Sequence, residues 1–261
     1  LSISEQWYRQ FNDDCLNTLI ADSLNNSPTI KSGIEKLRQA RTIAAINRVE
    51  YLPMLNADAQ YNYSKASKNI GLSADTNYFQ IGLDASWEVD IWGAGRRKSE
   101  QSLAEFEQAF FNLRNIKVML TAEVANNYFL LKTAQEQLRI AKNNLKLQQD
   151  IFQTVQEKYT SGLTDSADYN QARYAVETTK ALIPTLEYQI EAYKNALAVL
   201  AGVLPDNLPA NILDTGRNPV NKAYQYDTAN LYNLPADIIR TRPDVRAAER
   251  ALAAQNAAIG Q

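Results

Sequence analysis

Histidine is absent from the 261-residue sequence, and cysteine occurs only once. The absence of histidine removes the commonest general base and the commonest metal ligand. Cys15 lies among helix-forming residues without a partner for a disulfide or a zinc site, which predicts a half-buried helix residue. No nucleophile–base pair, metal set or cofactor loop is spaced for chemistry. We therefore predict a protein that is not an enzyme and that holds no cofactor and no metal.

Strong charge and long apolar runs are also missing. The formal net charge is −2, which gives no electrostatic basis for binding nucleic acid. No window approaches the roughly 18 apolar residues of a transmembrane helix, and no charged-then-apolar signal peptide begins at Leu1. A membrane location stays open, because the strands of a membrane β-barrel show their apolar face only at alternate positions.

The longest regular feature is a helical period from Arg97 to Thr160. Apolar residues recur at 3–4 residue spacing from Leu103 to Tyr159, with three polar exceptions and no proline or glycine. This period predicts a helix packed lengthwise on its neighbours, and some 60 residues give roughly 90 Å.

A second helix is predicted from Ser166 to Leu200. Gly162 provides a stop signal for the first helix, and Thr164, Asp165 and Ser166 offer N-caps for the second. Pro184 predicts a kink or a break near Leu182. The two helices should form a long antiparallel hairpin with its tip at Gly162.

Upstream of these helices the period changes to two. Apolar and polar residues alternate over Leu55–Ser64 and Phe79–Asp90, which predicts two strands joined by a polar loop from Lys65 to Asn77. Either the hairpin belongs to a small soluble sheet, or it spans an outer membrane with its aromatic face in lipid. The strand length and the adjoining long helix favour the membrane.

Before the strands, Asp14–Asn25 and Pro28–Tyr51 predict two further helices, the second opened by its proline. A weak self-match at an offset of 215 residues aligns the stretch at Pro28 with that at Pro243, and Leu16 and Leu19 with Leu231 and Leu234. This match indicates a second repeat that begins near the end of the sequence. We therefore expect a fragment of a longer protein.

Four stretches carry a resemblance to a known family. They are Trp87–Gly93 with Arg96 and Arg97, Lys158–Leu163 with Asp168, Ile183–Glu187 with Leu200–Gly202, and Leu234–Glu249. Together they resemble the TolC-like outer-membrane efflux proteins, and more closely the NodT-type lipoprotein branch that serves tripartite RND-type efflux systems. The resemblance covers essentially the whole chain, in order.

The resemblance implies a mainly α fold with a β-hairpin: long antiparallel helical hairpins forming an α-barrel, plus strands of a transmembrane β-barrel. It implies a homotrimer in the outer membrane of a Gram-negative bacterium, lipid-anchored at full length, with a periplasmic adaptor, an inner-membrane pump and outer-membrane lipid as partners. Five segments follow: an N-terminal segment with the first helices (1–53), a β-hairpin (54–92), a helical hairpin (93–202), a linker or equatorial segment (203–230) and the start of a second repeat (231–261).

The first candidate site is the helical tip. The resemblance implies that Gly162, Leu163 and Thr164 contact the adaptor and that Asp168 helps to hold the channel closed. Local structure alone could also account for two of these residues: Gly162 suits a left-handed turn, and Asp168 is an acid in the first helical turn, where the helix dipole favours it.

The second candidate site is the junction between strand and helix, formed by Trp87, Glu88, Asp90, Trp92, Gly93, Arg96 and Arg97. The tryptophans suit a membrane–water interface. Arg96 and Arg97 could pair with Glu88 and Asp90, could meet lipid head groups, or could be solvated charges.

Two functions are compared. The first is a passive channel that conducts drugs, toxic compounds or metal ions outward and is gated at its periplasmic helix tips. The second is a soluble periplasmic coiled-coil tether, suggested by the long heptads. The resemblance favours the channel.

Overall fold

The structure is a computed structural model, and it describes residues 6–49, 52–65, 76–209, 212 and 236–260, without the side chains of 236–238. In chain order the regular elements are α1 (Asp14–Asn26), α2 (Pro28–Val49), β1 (Met54–Ser64), β2 (Thr76–Ser86), α3 (Ala94–Thr160), α4 (Ser166–Ala201), α5 (Ala236–Thr241) and α6 (Pro243–Ala258). Short 3-10 helices cover Trp7–Phe11 and Pro205–Asn207. The predicted mainly α fold with one β-hairpin is confirmed.

The first two helices meet at a single residue. Asp13 caps α1 by accepting hydrogen bonds from the backbone N–H groups of Cys15 and Leu16, at 2.9 and 3.2 Å. Only Ser27 separates α1 from α2, and Pro28 opens α2 as predicted. The predicted end of α2 at Tyr51 lies outside the described residues.

β1 and β2 form an antiparallel hairpin whose two faces differ in character. The register pairs Leu55 with Ala85, Ala57 with Leu83, Ala59 with Ile81 and Tyr61 with Phe79, so most apolar side chains of both strands share one face. That face is open: Leu55, Ile81 and Leu83 are 71%, 70% and 75% exposed. On the opposite face Asn62 Nδ2 donates a hydrogen bond to Tyr78 Oη at 3.0 Å.

The predicted end of the second strand at Asp90 was wrong. β2 ends at Ser86, which pairs with Met54, the first residue of β1. Pro53 precedes Met54 and has no N–H to continue the ladder. Alternation therefore continues to Asp90 in the sequence, but the strand ends where its partner ends. The predicted loop was also too long, since Thr76 and Asn77 belong to β2; residues 66–75 lie outside the described part.

α3 comprises 67 residues, which corresponds to about 100 Å of helix. It begins at Ala94, three residues before the predicted start at Arg97. The predicted apolar seam is most deeply buried in the middle of the helix, at Leu120, Val124, Leu131, Ala134 and Ala141. Its ends are more open, with Leu103 and Tyr159 exposed.

α4 returns antiparallel along α3, as predicted. Lys142 Nζ on α3 lies 3.0 Å from Glu187 Oε1 on α4, and nearer the turn the rings of Tyr159 and Tyr169 stack with centroids 5.0 Å apart. Of the kink or break predicted near Leu182, the break is wrong, because α4 runs through Pro184 without interruption. Pro184 is exposed, so the carbonyl group that loses its N–H donor can be solvated instead.

By internal contacts the chain divides into two compact units. One consists of Leu1–Ile34 and Leu113–Ile238, the other of Glu35–Asn112 and Ile239–Gln261. The second unit contains the hairpin, the start of α3 and α6, where Arg250 on α6 donates a hydrogen bond to Glu107 on α3 at 3.0 Å. α6 begins at Pro243, as the predicted repeat requires, whereas Leu231 and Leu234 lie outside the described residues.

Candidate functional sites at the helical tip and the strand-to-helix junction

The tip between α3 and α4 is a Schellman turn. Gly162 has a φ of +71°, in the left-handed region that glycine adopts without steric cost. Its N–H donates to the Tyr159 carbonyl at 3.0 Å, and the Leu163 N–H donates to the Lys158 carbonyl at 2.8 Å. These two bonds satisfy two of the carbonyl groups in the last turn of α3. The turn conformation therefore favours glycine at 162.

The start of α4 is closed by side chains. Asp165 is the N-cap and accepts from the N–H groups of Ala167 and Asp168, at 2.9 and 3.0 Å. The Thr164 hydroxyl donates to Asp168 Oδ2 at 2.6 Å. Within the described chain, Thr164 and Asp168 thus form one local pair that stiffens the turn.

Leu163 projects from this rigid turn. In many Schellman turns the residue at this position packs on the residue five positions earlier, but that residue is Lys158 here. Leu163 is 77% exposed. The tip therefore presents one apolar side chain on a backbone whose terminal groups are hydrogen-bonded.

The junction is organised around Asp90. Its carboxylate accepts a hydrogen bond from the Arg96 backbone N–H at 3.0 Å, and its Oδ2 lies 3.7 Å from Arg96 Nε. Partial burial acts to raise the pKa of Asp90, but the backbone N–H groups of Arg96, Gly95 and Gly93 and the charge of Arg96 outweigh it, so the pKa lies below its usual value. Gly93 turns the chain into α3 with a φ of +81°.

The other junction residues are open. Trp92 is 94% exposed, Trp87 is 61% exposed, and Glu88 is exposed as well. Arg97 pairs with Glu100 at 2.8 Å rather than with Glu88 or Asp90. Of the predicted ion pairs, the structure forms only that of Arg96 with Asp90 among the described residues.

A buried polar cluster on α3 was not predicted. Lys132 is 1% exposed, and its Nζ donates to the Ile212 carbonyl at 2.9 Å. One turn earlier, the Tyr128 hydroxyl donates to Asp13 Oδ2 at 2.8 Å. Burial and the hydrogen bond to Asp13 raise the pKa of Tyr128 far above its usual value. The cluster ties the cap of α1 and the segment after α4 to the middle of α3.

Two features are missing from the described part of the chain. None of the helices there has both the length and the apolar character needed to cross a membrane. Within the same residues, no group of three or more Cys, Asp or Glu side chains could hold a metal ion.

Comparison with known proteins identifies the family. A family model described as outer membrane efflux protein matches residues 19–203, which include both candidate sites and the hairpin. The chain belongs to the outer membrane efflux protein family. Its resemblance to that family is thereby confirmed.

Several curated family members align with nearly the whole chain. The pyoverdine export outer membrane protein OpmQ of Pseudomonas aeruginosa is 27% identical over 97% of the chain and 53% of its own length. The cation efflux system protein CusC of Escherichia coli is 29% identical with the same two coverages. Nodulation protein T of Rhizobium leguminosarum is 26% identical, in line with the NodT-type branch. The chain spans about half the length of these relatives.

Solved structures agree in fold. The outer-membrane channel OprN superposes with a TM-score of 0.84 at 30% identity, covering 98% of this chain and 57% of that one. These relatives and neighbours are channel or efflux proteins rather than enzymes.

A signal for the buried cluster does exist in the sequence. Residues buried beside the predicted seam follow the same 3–4 spacing one position later, namely Thr121, Ala125, Tyr128, Lys132 and Gln135. This second seam marks the part of α3 that is covered on two sides. Lysine and glutamine at these positions resemble surface residues, which concealed the pattern.

Proposed function

We propose that the full-length protein is the outer-membrane channel of a tripartite efflux system. It assembles as a homotrimer and conducts small molecules passively from the periplasm to the exterior. A periplasmic adaptor and an inner-membrane pump deliver the substrate, and the periplasmic helix tips act as the gate. A lipid anchor on the full-length protein completes its attachment to the outer membrane.

The observation that carries this proposal is the exposed apolar face of the hairpin. A two-stranded hairpin is marginally stable on its own in water. Each large apolar side chain left in water forgoes about 1.5–3 kcal/mol of burial energy, and Leu55, Ile81 and Leu83 are all more than two-thirds exposed. An outer membrane would place lipid against the apolar face and water against the polar face that carries Asn62, so each face would contact a surrounding of matching polarity.

The soluble tether is the weaker alternative. It would account for the 67-residue helix but not for an open apolar face on a hairpin of two 11-residue strands. Membership of the outer membrane efflux protein family also disfavours it.

The substrate follows from the pump in this proposal. Relatives of nearly equal similarity are named for pyoverdine export and for cation efflux. A channel that selects little by itself is consistent with this range. Drugs, toxic compounds and metal ions are therefore all candidate substrates.

The tip and the junction take the two contact roles. Leu163, exposed on a rigid turn beside Gly162 and Thr164, docks the adaptor, while the Thr164–Asp168 pair holds the closed tip. Trp87 and Trp92 lie at the membrane–water interface, in keeping with their exposure. The segments 54–92 and 93–202 then form the membrane and periplasmic parts, flanked by 1–53, 203–230 and the start of a second repeat at 231–261.

The direct test is the susceptibility of a deletion strain to a panel of antibiotics, organic solvents and metal ions, with and without the full-length gene. We expect increased susceptibility to at least one class and recovery with the gene. Unchanged susceptibility to every compound would argue against efflux.

Adaptor docking is tested with two matched leucines. Leu163→Ser should lower resistance and reduce cross-linking to the adaptor, while the trimer in the membrane stays at wild-type level. Leu204→Ser is the control, because Leu204 is 70% exposed but lies after α4, away from the tip. Equal loss of resistance in both variants, or in neither, would contradict the docking role.

A further inference from the structure

The start of α3 has an unfavourable charge distribution. The N-terminal end of a helix carries partial positive charge, which acidic residues stabilise and basic residues destabilise. Arg96, Arg97 and Lys98 follow one another here, and the first turn contains no acidic residue. The longest helix of the described chain therefore lacks a favourable charge within its own first turn.

Asp90 provides that charge from outside the helix. It precedes Gly93, the last residue before α3, by three positions, yet its carboxylate reaches the N–H groups of the first turn. Although its neighbours Trp87, Val89, Ile91 and Trp92 are all more than half exposed, the Asp90 side chain is only 18% exposed. Its lowered pKa, described above, fits a carboxylate that stays ionised against these donors.

The same contact folds the connecting segment back on the helix. The Ile91 N–H donates to the Val89 carbonyl at 2.8 Å, a tight turn, and Gly93 reverses the chain at a φ of +81°. Asp90 is the central residue of the first turn, and its carboxylate accepts a hydrogen bond from the Arg96 N–H, beyond Gly93, at 3.0 Å. Asp90 thereby links the segment that follows β2 to the first turn of α3.

We propose that Asp90 is a positioning residue that fixes the direction in which α3 leaves the β-hairpin, and that assembly of the trimer depends on this direction. The inference rests on the proposed function, since a trimer in the outer membrane is what the direction serves. A lipid-facing hairpin and a helix that packs on neighbouring protomers must be oriented together. In this proposal, the partly buried Asp90 carboxylate sets both orientations.

The test measures the yield of heat-modifiable trimer in the outer membrane for the full-length protein. Asp90→Ala should lower the yield severalfold, because the hydrogen bond that ties residue 90 to the first turn of α3 is lost. Asp90→Asn keeps an acceptor oxygen but loses the charge, and it should give an intermediate yield. Asp84→Asn is the matched control, because Asp84 is an exposed acid in the adjacent strand β2 and belongs to neither candidate site, and it should match the wild type.

A second-site variant separates positioning from simple helix capping. Arg96→Glu places an acid at the third helical position, where it can cap the N-terminus without reaching back to residue 90. Combined with Asp90→Ala, it should restore slow amide exchange in the first turn of α3 but leave the trimer yield low. Recovery of the yield would overturn the proposal, because a cap alone would then suffice. Asp90→Ala with the yield of Asp84→Asn would overturn it as well.

These outcomes are distinct from failure of the proposed function. If the wild type forms no trimer in the outer membrane, the channel itself is refuted. If the Asp90→Ala protein does not accumulate in the membrane, the amide exchange of α4 is measured in freshly synthesised protein. Slow exchange without trimer would support the positioning role. Fast exchange would contradict it.

Discussion

Replacement of Gly162 by alanine tests the geometry of the tip most simply. A Cβ atom added at Gly162 meets no atom within 4 Å, so the substitution introduces no clash. The whole effect must come from the φ of +71°. Left-handed backbone costs a non-glycine residue about 1–2 kcal/mol, and alanine regains about 0.4–1 kcal/mol by restricting the unfolded chain. The net loss is therefore about 1 kcal/mol.

This loss should appear as local opening of the turn. The Gly162 and Leu163 amides donate hydrogen bonds at 3.0 and 2.8 Å and exchange with solvent only when the turn opens. A loss of about 1 kcal/mol raises their exchange about fivefold. Hydrogen–deuterium exchange of a peptide spanning the turn, corrected for intrinsic rates, measures it in the assembled protein.

The matched variant is Gly162→Asn, because asparagine enters the left-handed region more readily than alanine. It should lie within about a factor of two of the wild type. Equal acceleration of amide exchange in both variants would refute the reasoning. A destabilisation caused by the left-handed φ should be smaller for asparagine than for alanine. No acceleration in the alanine variant would show that the turn is not held in this conformation.

Three further predictions concern stability elsewhere. Gly202→Ala should lower the free energy of unfolding by about 2–4 kcal/mol, more than the change at the tip. The reason is that a left-handed φ of +67° is combined with a Cβ only 2.8 Å from the Asn26 carbonyl oxygen. Thermal unfolding would measure this loss, and a loss as small as that at the tip would contradict the prediction. Lys132→Met should lower the free energy of unfolding by about 1.5–3 kcal/mol and speed the amide exchange of the segment after α4. Lys142→Met, which breaks an exposed ion pair, should lower it by less than about 1 kcal/mol. Equal effects of the two variants would contradict a stabilising role of the buried hydrogen bond. Pro184→Ala should stabilise the middle of α4 by about 2 kcal/mol, seen as slower amide exchange, because it restores a helical N–H donor; faster exchange would indicate that the proline has a packing role.

The long helices could be predicted because their pattern is local. Apolar residues recur along α3 at the period of a helix. Gly162 provides the stop signal of α3, and Asp165 provides the start signal of α4. The predicted span therefore differs from the observed one by only three residues at Arg97. The strands were equally clear where alternation coincided with pairing.

Errors arose where structure depends on a distant part of the chain. The end of β2 is set by Met54, which lies outside the strand being predicted. Lys132 is buried, and the acceptor of its hydrogen bond, the Ile212 carbonyl, comes 80 residues later in the chain. Its residue type alone indicates a surface position.

The candidate sites divide in the same way. The left-handed turn at Gly162 follows from residue type, whereas the reach of Asp90 to the first turn of α3 depends on two tight turns that no simple period encodes. Roles in docking and in lipid contact came from the family resemblance. Physical pattern alone supplied the positions and not the partners.

Lipid exposure of the hairpin is the central claim, and spin-label accessibility along β2 tests it most directly. In the full-length protein with Cys15 and any other free cysteine replaced by serine, single cysteines would be introduced in turn from Phe79 to Ala85 and labelled in membranes. Phe79, Ile81, Leu83 and Ala85 should be accessible to oxygen, which is concentrated in lipid, and the intervening positions to a water-soluble nickel reagent. Accessibility to the nickel reagent at every position, without a period of two, would contradict a membrane-inserted hairpin and with it the proposed channel.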